Sequence, residues 1–148
     1  MQSLSAEDKR KLLDILMAER KTVLAIIDKL KKEQESLVNG KVDDIFKYAA
    51  EKDFQLYHLS NLYKQQCELL RSADSQYIIL DKSNSYDSDF INQLWTDILD
   101  LVSSAKQLND TNETIVSMNL QFSQNLSFAL HGNHQNHALY NARGVKIQ

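Results

Sequence analysis

Apolar side chains recur at alternating steps of three and four from Ile91 through Leu94, Ile98, Leu101, Ala105 and Leu108 to Ile115, Phe122, Leu126 and Ala129, with Asn112 and Asn119 at the intervening positions. This is a heptad repeat sustained for more than five repeats. It lays one seam along a helix roughly 58 Å long at about 1.5 Å per residue. An isolated helix cannot bury such a stripe, so the pattern demands partner helices along its length. Trp95, Val102, Val116 and Leu130 follow the seam as a second stripe, which predicts packing against two neighbours.

The rest of the chain supplies those neighbours. Proline is absent, and the only glycines are Gly40, Gly132 and Gly144. With so few breakers, so unevenly spread, the chain reads as a few long helices with boundaries near the first two glycines. Ser5 followed by Asp8 has the form of a capping box. The helix it opens carries an inner stripe of Leu13, Leu16, Val23, Ile27, Leu30 and Leu37, widened by Met17, Leu24 and Val38 and interrupted by Arg20 and Gln34. Asp43, close behind Gly40, reads as the next N-cap, and so short a connection folds the second helix back antiparallel. Ile45, Ala49, Leu56, Leu59, Leu62, Tyr63, Leu69 and Leu70 form its apolar face, with Lys52 and Gln66 intruding. Lys52 is expected to extend its ammonium out of the seam along its aliphatic stem. Residues 72–89 break the pattern around an apolar island, Tyr77 to Leu80, expected to dock on the bundle. Asp87 or Ser88 would cap the third helix, with Gly132 at its C′ position.

The fold class predicted is all-α: three long antiparallel helices in a coiled-coil-like bundle over residues 1–132, with helices near 6–39, 44–71 and 88–131. Residues 133–148 are polar and aperiodic, and are expected to form a flexible C-terminal tail.

A net charge of −3 argues against nucleic acid as a partner. Basic residues crowd the first helix and acidic ones the third, which predicts attraction between those two. Cys67 is the single cysteine and no run is long and apolar enough for membrane insertion, so a reducing cytoplasm is the expected location. Neither a glycine-rich phosphate loop nor a nucleophile beside a base is present, and the expectation is a non-enzyme without cofactor. His131, His134 and His137 are spaced by three, yet no cysteine or acid lies among them. A solvated tail without a metal site is the expectation, and a small metal carrier the alternative.

Two polar positions in one seam bear on function. Asn112 and Asn119 would pair with each other or a facing polar group, or would soften a segment that opens for a partner. Beyond them Met118, Leu120 and Phe128 fall off the seam, as satellites of the core or as a binding surface.

Two stretches together resemble the FlgN family of flagellar type III export chaperones. The first is Leu37-Val38-Asn39-Gly40-Lys41-Val42-Asp43-Asp44-Ile45, then Ala50-Glu51-Lys52, Leu56, Leu59 and the pair Leu69-Leu70. The second is Leu94-Trp95, Leu108-Asn109, Asn112, Asn119, Asn125-Leu126 and Leu130, closing on Leu139-Tyr140-Asn141-Ala142-Arg143-Gly144. The chain departs from the family pattern at Gln66-Cys67, Glu113 and Val145. The resemblance implies a cytoplasmic chaperone that holds the terminal helices of hook–filament junction proteins and delivers them to the flagellar export gate, with the export ATPase complex as a second candidate contact. On that basis Ile115, Met118, Phe122, Leu126, Phe128 and Leu130 are expected to meet the substrate helix. Leu139 and Tyr140 would anchor the tail on it or on the gate. The protein would be a monomer or weak homodimer with apolar surface to spare, whereas the alternative, a generic helical scaffold, would be a tight oligomer.

Overall fold

A computed structural model describes residues 4–72, 85–131, 139–140 and 146–147. Three helices follow in order, α1 (Ala6–Asn39), α2 (Val42–Ser72) and α3 (Ser85–His131), and then two short strands, β1 (Leu139–Tyr140) and β2 (Lys146–Ile147). The chain divides into two compact units, Met1–Asn109 and Asp110–Gln148. The division falls within α3, inside the 1–132 span expected from sequence to form one bundle.

In the first unit, α1 begins where Ser5 accepts a hydrogen bond from the Asp8 backbone N–H at 3.1 Å, satisfying one of the helix's free donors. It ends on Gly40 in the left-handed conformation (φ 67°). The Gly40 N–H donates to the Leu37 carbonyl and the Lys41 N–H to that of Ser36, the paired bonds of a Schellman motif. A Cβ at Gly40 would meet nothing within 4 Å, so what reserves the position for glycine is backbone strain rather than space. The Lys41 carbonyl then accepts from the Ile45 N–H, which makes Lys41 the N-cap of α2. This corrects the expectation for Asp43. It lies with Asp44 in the first helical turn, where its charge favours the helix N-terminus without capping it.

The seam of α1 is Leu12, Leu16, Glu19, Val23, Ile26, Leu30, Glu33 and Leu37, all buried and spaced by fours and threes. It shares Leu16, Val23, Leu30 and Leu37 with the expected stripe but is phased through two glutamates. Arg20 and Gln34, expected to interrupt the stripe, lie off this seam, and Met17, Leu24 and Val38, expected to widen it, are exposed. Thr22 and Ser36, also buried, return hydrogen bonds to the carbonyls of Ala18 (2.7 Å) and Lys32 (2.9 Å), so no hydroxyl is stranded.

Each seam glutamate faces a polar side chain of α2. Lys52 turns inward, its side chain 17% exposed, and its ammonium lies 3.2 Å from Glu33, whose side chain is 9% exposed. The expectation that Lys52 would extend into water is therefore wrong, because the carboxylate opposite solvates it better than a bent stem would. Gln66, almost fully buried, sets its amide 3.0 Å from Glu19 Oε2, and since a carboxylate only accepts, we assign the amide nitrogen to that side as the donor. A further ion pair, Lys29 with Glu51 at 3.1 Å, ties the two helices nearer the surface.

The hydrophobic core of this unit gathers Leu4, Leu12 and Leu16 with Ile91, Leu94 and Ile98 of α3, and Leu13, Leu69, Leu70 and Trp95 pack against it. The heptad of α3 is thus buried at its first positions. Val42, Phe46, Phe54 and Tyr57 lie on the outward side of α2 and are exposed.

In the second unit Asn112 is buried, Ile115 half-buried and Asn119 exposed, so the two asparagines do not both hold the seam. β1 and β2 pair antiparallel with Leu139 opposite Ile147 and Tyr140 opposite Lys146. The island Tyr77 to Leu80 and the residues His134 and His137 lie outside the described residues. Among those described, no helix is long and apolar enough to cross a membrane.

Candidate helix-docking surfaces

Two surfaces could receive a partner, one in each unit. In the second, Met118, Phe122, Leu126, Phe128 and Leu130 are all exposed, Phe122 by 68% and Phe128 by 73%. At about 100° per residue, Ile115, Met118, Phe122 and Leu126 share one face of α3, Leu130 flanks it, and Phe128 lies on the opposite side. Helical geometry therefore brings together five of the six helical residues expected at a substrate interface. Val116 and Leu120, also exposed, sit between that face and Phe128. Leu139 and Tyr140 occupy β1.

The second surface lies wholly in the first unit. A cavity of about 560 Å³ opens among α1, α2 and α3, lined by Glu19, Val23, Leu56, Leu59, Ser60, Tyr63, Gln66, Trp95, Ile98, Leu99 and Val102. A second cavity of about 340 Å³ shares Val23, Leu56, Leu59 and Val102 with it and continues to Lys52, Ala105, Lys106 and Asn109. Together they form one groove. Its rims are exposed at Leu56, Tyr63, Leu99 and Val102. The sequence reading placed Leu56, Leu59 and Tyr63 on the face of the α1–α2 hairpin and Trp95 and Val102 in a second α3 stripe. It missed that these converge on open space. The signal lay in the excess width of both stripes, more apolar surface than three helices of this girth can mutually cover.

The floor of the groove is chemically distinct. Burial raises the Glu19 carboxyl from 4.5 to about 7, and among the described residues three polar side chains of α2 line the cavity with it. These are the Gln66 amide, the Ser60 hydroxyl and the Tyr63 phenol, the last held above its ordinary value by hydrogen bonding to Cys67. From α3 the cavity that holds Glu19 receives Trp95, Ile98, Leu99 and Val102, none of which titrates, while Lys106 lines the adjoining cavity.

A carboxyl raised in the folded state binds a proton there that the unfolded chain has already released. Stability is therefore expected to fall as pH rises from 4.5 to 7, by on the order of 2–3 kcal/mol from this group. Glu19→Gln keeps a hydrogen-bonding partner for Gln66 and removes the titration. In urea denaturation the variant should equal the wild type near pH 4.5 and exceed it by that amount at pH 8. Parallel profiles for the two proteins would mean that Glu19 is solvated as an ordinary carboxylate.

Among the described residues no three His, Cys, Asp or Glu side chains gather where a metal could be held.

Comparison with known proteins agrees with a binding role. Neither curated proteins nor solved structures gave a match to the chain. The family model described as FlgN protein matches residues 1–146. With a match over essentially its whole length, and three helices as its framework, the chain belongs to the FlgN family of flagellar export chaperones.

Proposed function

We propose that the protein acts in the cytoplasm, where it sequesters the terminal helices of hook–filament junction proteins and carries them to the flagellar export gate, with the export ATPase complex as a second contact. The observation that carries this reading is the change in exposure along one heptad. Ile91, Leu94 and Ile98 are buried, whereas Phe122 and Leu126, at equivalent positions further along the same helix, stand open to solvent. A seam whose apolar side chains are exposed suits a visiting helix that adds a facing stripe through residues spaced by threes and fours. Substrate ends that assemble by helix pairing outside the cell would pair prematurely within it, and covering their apolar face prevents this. The tail, through Leu139 and Tyr140, would fasten the complex or meet the gate, and the free protein would be a monomer or weak homodimer.

The test is calorimetric titration with the C-terminal segment of a hook–filament junction protein from the same organism. Wild-type protein should bind 1:1 with a negative heat-capacity change, the mark of apolar burial. Replacing Phe122 and Leu126 together by serine should weaken binding by about 100-fold while leaving helicity unchanged. Truncation after Gly132 should lower affinity if the tail anchors the substrate, and Tyr140→Ala alone should reproduce part of that loss. Undiminished binding by the Phe122/Leu126 double variant would remove this face from the interface. A tight oligomer in sedimentation, with no binding, would favour a scaffold.

A further inference from the structure

We propose that the groove of the first unit is a second docking site, for a partner's amphipathic helix that sets a lysine or arginine against Glu19 and an acidic residue about two turns away against Lys106. This site is separate from the α3 face assigned above to export substrates and stands whether or not that assignment holds.

Length, backbone chemistry and charge converge on such an occupant. Along α3 the groove runs from Trp95 to Asn109, about 21 Å at 1.5 Å per residue, or nearly four helical turns. Its walls are side chains of three helices, whose backbone groups are already spent on their own hydrogen bonds. An extended peptide would find no ladder there for its N–H and C=O groups, whereas a helix arrives with its backbone satisfied.

Charge then selects among helices. Among the described residues no cation lines the cavity that holds Glu19, where its neighbours are amide and hydroxyl groups, while Lys106 and Lys52, the latter paired with Glu33, line the far end. Between the level of Ile98, beside Glu19, and Lys106 the rise is about 12 Å, or two turns. An occupant with a cation and an anion seven or eight positions apart on its apolar face would complement both. A purely apolar helix would enclose the Glu19 carboxyl still further and so have to drive it to the neutral form.

Trp95 is the only tryptophan and it lines the groove, so its emission reports occupancy. The probes are three designed eighteen-residue amphipathic helices that differ only at the position facing Glu19, occupied by Lys, Met or Glu, each with a glutamate seven positions on. Titrated into the full chain at pH 8, the Lys peptide should shift Trp95 emission to shorter wavelength and bind about tenfold tighter than the Met peptide, with the Glu peptide weakest. At pH 6 Glu19 is largely protonated and the Lys advantage should vanish, as it should at either pH in Glu19→Gln. Leu99→Glu, at an exposed rim position that folding does not need, should abolish binding of all three. Equal affinities for the Lys and Met peptides at pH 8, or binding that leaves Trp95 unperturbed, would overturn the proposal. So would a peptide-free blue shift that grows with protein concentration alongside a dimer in sedimentation, which would make a second copy of this chain the occupant.

Discussion

Lys52→Met is expected to destabilise the protein by about 2–3 kcal/mol, although methionine fits the space and suits a helix better than most residues. The loss arises on α1, not at the substituted site. Glu33 is buried, and its carboxylate is solvated by the Lys52 ammonium at 3.2 Å. Removing the cation breaks an ion pair between two largely buried side chains and takes from the carboxylate the charge that faces it. The residual exposure of Lys52 is the reason for choosing a figure just below the range usual for broken buried pairs. Converting both partners, Lys52→Met with Glu33→Leu, should restore stability to within about 1 kcal/mol of wild type, because no charge then remains to be solvated. Urea denaturation of the single and double variants decides it. If the double variant is as weak as the single, the cost lies in packing around residue 52 and not in the charge of Glu33.

Leu16→Ala should cost more still, about 3–4 kcal/mol, and lower the melting temperature by about 10 °C. Leu16 is wholly inaccessible and packs in a cluster with Leu12, Ile91, Leu94 and Ile98. Truncation removes its transfer free energy and leaves a void that long helices, stiff along their axes, close poorly. Phe128→Ser is the matched control. It deletes a larger side chain, yet one that is 73% exposed, and should change stability by less than about 0.5 kcal/mol. Calorimetric melts of both variants would show whether core and surface divide as described. A Phe128→Ser melt that falls as far as that of Leu16→Ala would show that the far end of α3 is buried in solution.

Much of the framework could be read from residue types alone. Gly40 announces the turn because only glycine takes its left-handed conformation without strain, and Ser5 announces a cap because its oxygen reaches the Asp8 N–H. The α3 heptad is legible for the same reason, since an apolar stripe at that period has only one stable use. The phase of α1 was not legible. The expected stripe takes Leu16, Val23, Ile27, Leu30 and Leu37, all of them buried, and the half-buried Leu13, but it passes over Glu19 and Glu33 and with them Leu12 and Ile26. The true seam passes through both acids because Lys52 and Gln66 stand opposite, and that information lies nineteen or more residues away. Period reports what a residue prefers on average, while burial of a charge depends on which particular group faces it. The groove escaped for a related reason. Leu56, Tyr63 and Val102 look like core residues, and although their stripes are wide, the spacing does not say which of them stay uncovered. The exposed face at Phe122 and Leu126 was legible in part, because apolar residues there outrun any one seam.

The turn at Gly40 has a further consequence in the order of synthesis. Only Gly40 and Lys41 separate α1 from α2, so the two helices can close from the turn outward with almost no loop to restrain, each new turn of α2 meeting a stretch of α1 already made. The chain has no proline to delay this by slow isomerisation. By the time residue 72 has emerged, the hairpin has all it needs to form, while the apolar end of α3 is still unmade. The exposed apolar face of α3 thus leaves the ribosome after the hairpin, and it emerges attached to a hairpin that has had time to form.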